Sequence, residues 1–346
     1  MKRLIALALC LSLSPFAHAG EKFKVCWSIY VGWMPWAYGV EEGIIDKWAD
    51  KYGIDIEVVQ FNDYIESINQ YTAGEFDACT MTNMDALTIP AAGGVDSTAL
   101  VVGDFSNGND AIVLKGKKKL KQIKGQNVNL VELSVSHYLL ARALQSVGLS
   151  EKDITVVNTS DADMVSAFTT KQVTAVTAWN PGLSEILAMP EANNVFDSTQ
   201  IPGEIIDMMV AKTDVLEKHP EFGKAMIGAW YEIMSIMSGD DKKAMEAKTF
   251  MAKKSGTDLA GYESQLASTE MFYEPKDALA LTTSKDLFKT MQYVADFSFE
   301  HGLLGEGAQD SGFIGIEMPA GVFGDKGNVK LRFDSKFTKM AADGKL

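Results

Sequence analysis

Residues 54–84, IDIEVVQFNDYIESINQYTAGEFDACTMTNM, decide the fold. Ile54–Phe61 is rich in β-branched residues and predicts a strand. A helix is expected from about Asp63 to Ala73, followed by a tight turn. Asp77–Met81 predicts another strand, and Asn83 sits at its carboxyl end. Strand, helix and strand in such a short span make a βαβ unit.

The same alternation continues on both sides. Upstream, Phe23–Ile29 predicts a buried strand, a loop covers Tyr30–Pro35, and a helix is expected over Trp36–Lys51 with Ile44, Ile45 and Trp48 on one face. Downstream, a helix begins over Asp85–Ala92, and Ala99–Val102 and Ala111–Leu114 are strands. Asn127–Val131, His137–Val147, Ile154–Val157, Asp163–Thr170 and Val173–Ala178 repeat the pattern. The expected fold class is α/β, built on mainly parallel sheets. From Val215 to Gly302 the chain reads as largely helical, with methionines such as Met226, Met234, Met237 and Met245 as core filling.

Shifting the chain by 97 residues lays Tyr71–Met84 over Phe168–Pro181, with identities Thr72/Thr169, Ala78/Ala175, Thr80/Thr177 and Asn83/Asn180. Both copies run from a helix end through a turn and a strand to an asparagine. Two similar lobes, each offering a strand-end loop to a shared cleft, account for the echo, since ligands of open α/β sheets lie beyond the carboxyl ends of strands.

The 346 residues carry 32 Lys+Arg against 46 Asp+Glu, a formal charge of −14. That balance argues against nucleic acid or anionic lipid as a partner; the one basic cluster, Lys115–Lys124, flanks a turn. Lys2 and Arg3, an apolar run over 4–13, and Ala17-His18-Ala19 have the form of a signal peptide over 1–19, cleaved after Ala19. Without Lys2 and Arg3 the charge becomes 30 − 46 = −16. Export removes Cys10 and leaves Cys26 and Cys79, for which a disulfide and two buried thiols both stand open. No zinc-type spacing, P-loop, G-x-S-x-G or H-E-x-x-H motif is present, so no metal, cofactor or catalytic residue is expected.

The strand-end loops offer Tyr30, Gly32, Trp33, Trp36 and Tyr38; Asn62, Asp63 and Tyr64; Thr82, Asn83 and Asp85; Asp104, Asn109 and Asp110; Glu132 and His137; Asp161 and Asp163; and Trp179 and Asn180. Lys and Arg are missing from all of them. Carboxylates and ring faces without basic residues favour a small cation, each ring contact contributing roughly 0.5–2 kcal/mol. Duller roles compete. Asp63, Asp85 and Asp163 stand where helix caps stand, and Glu132, inside the apolar run Leu130–Leu133, calls for a partner such as Arg142.

The stretches VCWSIYVGWMPWAYGVEEGIIDKW (25–48), GEFDA (74–78), VVGDFSNGNDAIV (101–113), LKQIKGQNVNLVELSVSHYLLARAL (120–144), VTAWNPGL (176–183) and GEIIDMMV (203–210) together resemble the periplasmic substrate-binding proteins of nitrate/sulfonate/taurine-type ABC importers. PAGVFGDKGNVKLRFD (319–334) is similar to a subgroup encoded beside urea carboxylase genes. The resemblance implies a two-lobed periplasmic-binding-protein fold, type II-like, with a helical C-terminal third. One lobe would comprise 20–108 plus about 205–346, the other about 109–204, with crossings near Asn107–Ala111 and Pro202–Asp207. It implies a periplasmic monomer that delivers its ligand to a membrane permease and does no chemistry. The subgroup implies guanidinium or urea; the residues favour the cation, with urea or another amide or amine, and a sulfonate or nitrate, as the alternatives. The expected ligand set is Trp33 and Trp36 as stacking walls, Glu132, Asp63 and Asp207 as charge partners, and Tyr30, Tyr64, Asn83, Trp179 and Asn180 around them. A thiamine-pyrimidine-synthase-like enzyme and a receptor-coupled sensor are the rival classes.

Overall fold

The computed structural model describes residues 21–346, so the expected leader lies outside the described residues. β1 (Lys22–Ser28) lies parallel to β2 (Asp55–Phe61) on one side and to β3 (Ala78–Thr82) on the other. The helix Tyr64–Thr72 makes the crossover, and Ile68 and Tyr71 bury its inner face. β4 (Ser97–Ser106) belongs to the same large sheet, and then the chain leaves it. β5 (Asp110–Lys115), β6 (Asn127–Leu130), β7 (Thr155–Asn158), β8 (Ala175–Trp179) and β9 (Ala192–Asp197) form a second sheet in the order β7-β6-β8-β5-β9. β10 (Ile206–Lys212) returns to the large sheet and inserts between β3 and β4. β11 (Thr269–Met271) adds to β4, and β12 (Gly315–Met318), β13 (Gly321–Phe323) and β14 (Val329–Phe333) complete the other edge.

The sheets are mixed rather than mainly parallel. β10 pairs antiparallel with both β3 and β4, and β5 pairs antiparallel with both β8 and β9. Each is the first strand after a crossing between lobes, so it enters its sheet from the hinge end, against the direction of the βαβ strands. The two crossings run side by side. Ser106 N donates to Ile205 O (3.0 Å), the Ser106 and Ser198 hydroxyls meet at 2.7 Å, and Gly108 N donates to Ser198 Oγ (2.7 Å).

Local chemistry explains two further differences. The helix expected over 36–51 is two helices, Met34–Glu41 and Ile44–Tyr52, because Gly43 at φ 65° turns the chain between them. The helix after β3 opens into a wider turn over Leu87–Ala91, where Pro90 lacks a backbone donor. The last third holds the expected helices, with Pro220–Met237 the longest at 18 residues. Met226, Met234 and Met237 are buried along it, whereas Met245 is exposed. Among the described residues no helix is long and apolar enough to cross a membrane.

Cys26 and Cys79 are register partners on β1 and β3, and they form a disulfide with Cα atoms 4.4 Å apart. It links strands on either side of a 53-residue separation. Replacing both cysteines by alanine is expected to cost about 2–4 kcal/mol, measured by denaturant unfolding; the wild type under reducing conditions should approach the same midpoint.

Candidate functional site

The two sheets point their strand ends at each other, and a small cavity lies between them. Ser28 ends β1, Thr82 ends β3, Asp207 is the second residue of β10, Asp110 begins β5 and Trp179 ends β8; Tyr30, Trp33, Tyr64, Val135 and Ile205 complete the wall. It leaves about 20 Å³ for the centre of a water-sized sphere, room for a compact group of a few heavy atoms.

Four rings form a continuous chain around this space. Tyr30 meets Trp33 edge-on at 5.0 Å, Trp33 lies 5.7 Å from Tyr64, and Tyr64 meets Trp179 edge-on at 5.7 Å. Buried aspartates fix two of them. Tyr30 Oη donates to Asp104 Oδ1 (2.8 Å), and Tyr64 Oη donates to Asp85 Oδ2 (2.6 Å), which also accepts from Thr82 Oγ1 (2.9 Å). Gly32 makes the first loop possible, because a Cβ there would collide with the Asp104 carboxylate and the Tyr30 ring.

The electrostatics are unusual. Asp85, Asp104, Asp110 and Asp207 are all buried. Asp104 and Asp207 are direct partners across β4 and β10, a placement that disfavours two like charges. No lysine or arginine contributes to the environment of any of the four. Burial therefore pushes the Asp85 carboxyl up to about 6 and the Asp110 carboxyl up to about 7. Asp104 and Asp207 are also raised, by burial first. Asp104 Oδ2 and Asp85 Oδ1 are buried with no hydrogen-bond partner among the described residues. The site holds unsatisfied acceptors and ring faces, and its walls supply no positive charge.

Five of the ten expected site residues line this cavity: Tyr30, Trp33, Tyr64, Trp179 and Asp207. The other five stand elsewhere, each for a local reason. Trp36 is buried against Trp230, with ring centroids 4.9 Å apart, so it packs the core instead of stacking on a ligand. Asp63 caps its helix by accepting from Glu66 N (2.8 Å). Glu132 is exposed: the apolar run breaks at Leu133, whose φ is 64°, and turns Glu132 outward. Arg142 pairs instead with Glu204, through Nε to Oε2 and Nη2 to Oε1, both at 2.8 Å.

The two echoed asparagines tie the crossings. Asn83 donates to Glu204 O (3.1 Å) and accepts from Ile206 N (3.0 Å). Asn180 N donates to Asn109 O (3.2 Å), and Asn180 Oδ1 accepts from Ser184 N and Oγ. Asp110, Asp104 and Asp85 were visible in the strand-end loops, but a cap and a buried carboxylate look alike in sequence. Trp36→Ala should lower stability by about 3–5 kcal/mol and leave ligand affinity within about twofold, and Glu132→Gln should change neither. Chemical unfolding and calorimetry check both.

Residues 27–252 match the NMT1-like family. A Brucella abortus protein named as a binding protein is 24% identical over 258 residues, covering 71% of this chain and 77% of that one. The alkanesulfonate-binding protein of Xanthomonas axonopodis pv. citri, bound to MOPS, superposes with a TM-score of 0.69 at 19% identity, over 84% of this chain and 96% of its own. The periplasmic aliphatic sulphonate-binding protein of Escherichia coli gives 0.68 at 19% identity, over 83% and 94%. All three are named as binding proteins, and the fold is that of periplasmic binding proteins. With its match spanning more than half of the 346 residues, the chain belongs to the NMT1-like family.

Proposed function

We propose that the chain is the exported solute-binding protein of an ABC importer. In this reading it captures a small planar nitrogen cation, guanidinium first, between two lobes and delivers it to a membrane permease. The general role is supported by the family and the fold. The ligand class rests on the cavity wall: Asp110 and Asp207 face it, Asp104 and Asp85 stand behind, four rings surround it, and no lysine or arginine lines it.

Guanidinium presents six N–H donors in a plane and one positive charge. Carboxylates accept those donors through charge-assisted bonds, and ring faces attract the charge. Urea offers fewer donors and no charge, so it leaves the buried carboxylates unrelieved. A sulfonate, the kind of ligand named for the Xanthomonas and Escherichia coli neighbours, would place an anion against them. The likeness to those neighbours is the observation that favours the anionic reading. It supports the fold more strongly than the ligand, because the walls that decide charge are this chain's own.

Calorimetry of the mature chain with guanidinium, methylguanidine, urea, taurine and nitrate tests the reading. Guanidinium should bind one to one, and taurine and nitrate should not; tight binding of either anion without guanidinium would overturn it. Asp207→Asn should weaken guanidinium at least about tenfold, roughly 1.4 kcal/mol. Protonated carboxyls must ionise to hold a cation, so affinity should rise with pH through the region near 7 where Asp110 titrates. The ligand-free protein should behave oppositely. Its buried aspartates bind protons more tightly folded than unfolded, so stability should fall as pH rises from about 4 through about 7.

A further inference from the structure

The helix Lys285–Glu300 packs within the lobe of the large sheet, where Met291 Sδ meets Asn83 Nδ2 at 3.6 Å. One stripe of it, however, lies against the other lobe. Tyr293, Phe297 and His301 recur every fourth residue and so share a face. The Arg142 guanidinium lies 5.7 Å from the Tyr293 ring, Tyr138 meets Phe297 edge-on at 5.2 Å, and His301 reaches Glu151. Tyr138, Arg142 and Glu151 all lie between β5 and β9, so this stripe is a seam between the lobes.

The hydrogen bonds at the end of the seam fix the protonation states. His301 Nδ1 is 2.8 Å from Phe297 O, and its Nε2 is 2.5 Å from Glu151 Oε2. A carbonyl and an ionised carboxylate both accept, so an imidazolium, with both ring nitrogens donating, satisfies the two contacts. Its place at the helix C-terminus and its stacking on Phe297, 4.0 Å between centroids, favour that charge. His137 differs. Its Nδ1 accepts from Leu133 N (3.1 Å), so Nε2 carries the hydrogen that meets Glu151 Oε1.

We propose that His301 and Glu151 form a protonation-controlled latch between the lobes, closed while His301 is charged and released when it is neutral. The proposal rests on the reading that ligand enters between the lobes. His137 holds the Glu151 carboxylate in place from its own lobe. Of the remaining charged groups, Glu300 on the same helix acts on His301 in the same direction as Glu151, while Arg142 and Glu204 along the seam pair with each other.

The direction of the pH effect follows. The bond from Glu151 raises the His301 pKa above the ordinary imidazole value, and the two histidines hold Glu151 down to about 2. The latch is therefore fully present below about pH 6.5 and is lost as pH rises through the raised value. Ligand affinity scales with the closed fraction, so the seam can tune release without touching the cavity.

The test uses the mature chain with Glu151→Gln and His301→Gln. Proton NMR should show His301 titrating above about 6.5 in the wild type and falling toward that value in Glu151→Gln. X-ray scattering of ligand-free protein should show the wild type more compact at about pH 6 than at about pH 9, and both variants expanded at both. With guanidinium as probe, the variants should bind about threefold to tenfold more weakly than wild type at the lower pH and equally at the higher; this ratio cancels the cavity's own titration. Identical scattering profiles in wild type and variants, or a His301 that titrates near 6.5 in both proteins, would overturn the latch. So would variants that lose thermal stability with no change in compactness. If guanidinium does not bind, the ligand reading fails, and the NMR and scattering results still decide the latch.

Discussion

Everything near the cleft answers to one constraint: four aspartates are buried around a small cavity with no basic side chain among them. A buried carboxylate must find a partner or keep its proton. Here two tyrosines and a threonine of the wall satisfy one oxygen each of Asp104 and Asp85, and the other oxygen of each has no partner among the described residues. The same bonds hold the tyrosine rings in place. Electrostatic demand and aromatic shape are therefore linked, since two of the four wall rings, Tyr30 and Tyr64, are fixed by carboxylates whose charge they would help a cation to meet.

The crossing topology brings these groups together. Asp207 and Asp110 each stand at the first position or two of a strand that enters its sheet antiparallel after the chain changes lobes. That places Asp207 beside Asp104 and Thr82, and Asp110 beside Trp179. Asn83 and Asn180 secure the crossings on either side. Away from the cavity, the seam of Tyr293, Phe297 and His301 joins the lobes a second time. The cleft is thus bounded by a hinge and by a contact whose strength depends on a proton.

Much of the fold was legible. The βαβ grammar of Ile54–Met84 appears as strand, helix and strand, and the helical last third appears where the sequence puts it. β10 was not legible: its methionine-rich IDMMVAK lacks the alternation that marks a strand, because both faces of this central strand are buried. At the site, aromatics and acids near strand ends pointed to the right loops, yet the choice within each loop depended on neighbours that sequence does not show. Trp33 and Trp36 are three residues apart, and only one reaches the cavity, since the other turns onto Trp230. Asp85 and Asp63 both look like caps; Asp63 is one, while Thr82 caps the helix that holds Asp85, whose carboxylate instead carries a tyrosine of the wall. Glu132 read as buried because its neighbours are apolar, and the left-handed turn at Leu133 removes it from them.

The most direct measurement is the number of protons exchanged when guanidinium binds, obtained from calorimetric enthalpies in buffers of different ionisation heat near pH 6.5. If a cation enters a box of partly protonated aspartates, protons must leave, and the account predicts net release that disappears well above the range where Asp110 titrates. Binding with no exchange, or with uptake of protons, would contradict it, because a cation that meets partly protonated carboxyls must displace their protons.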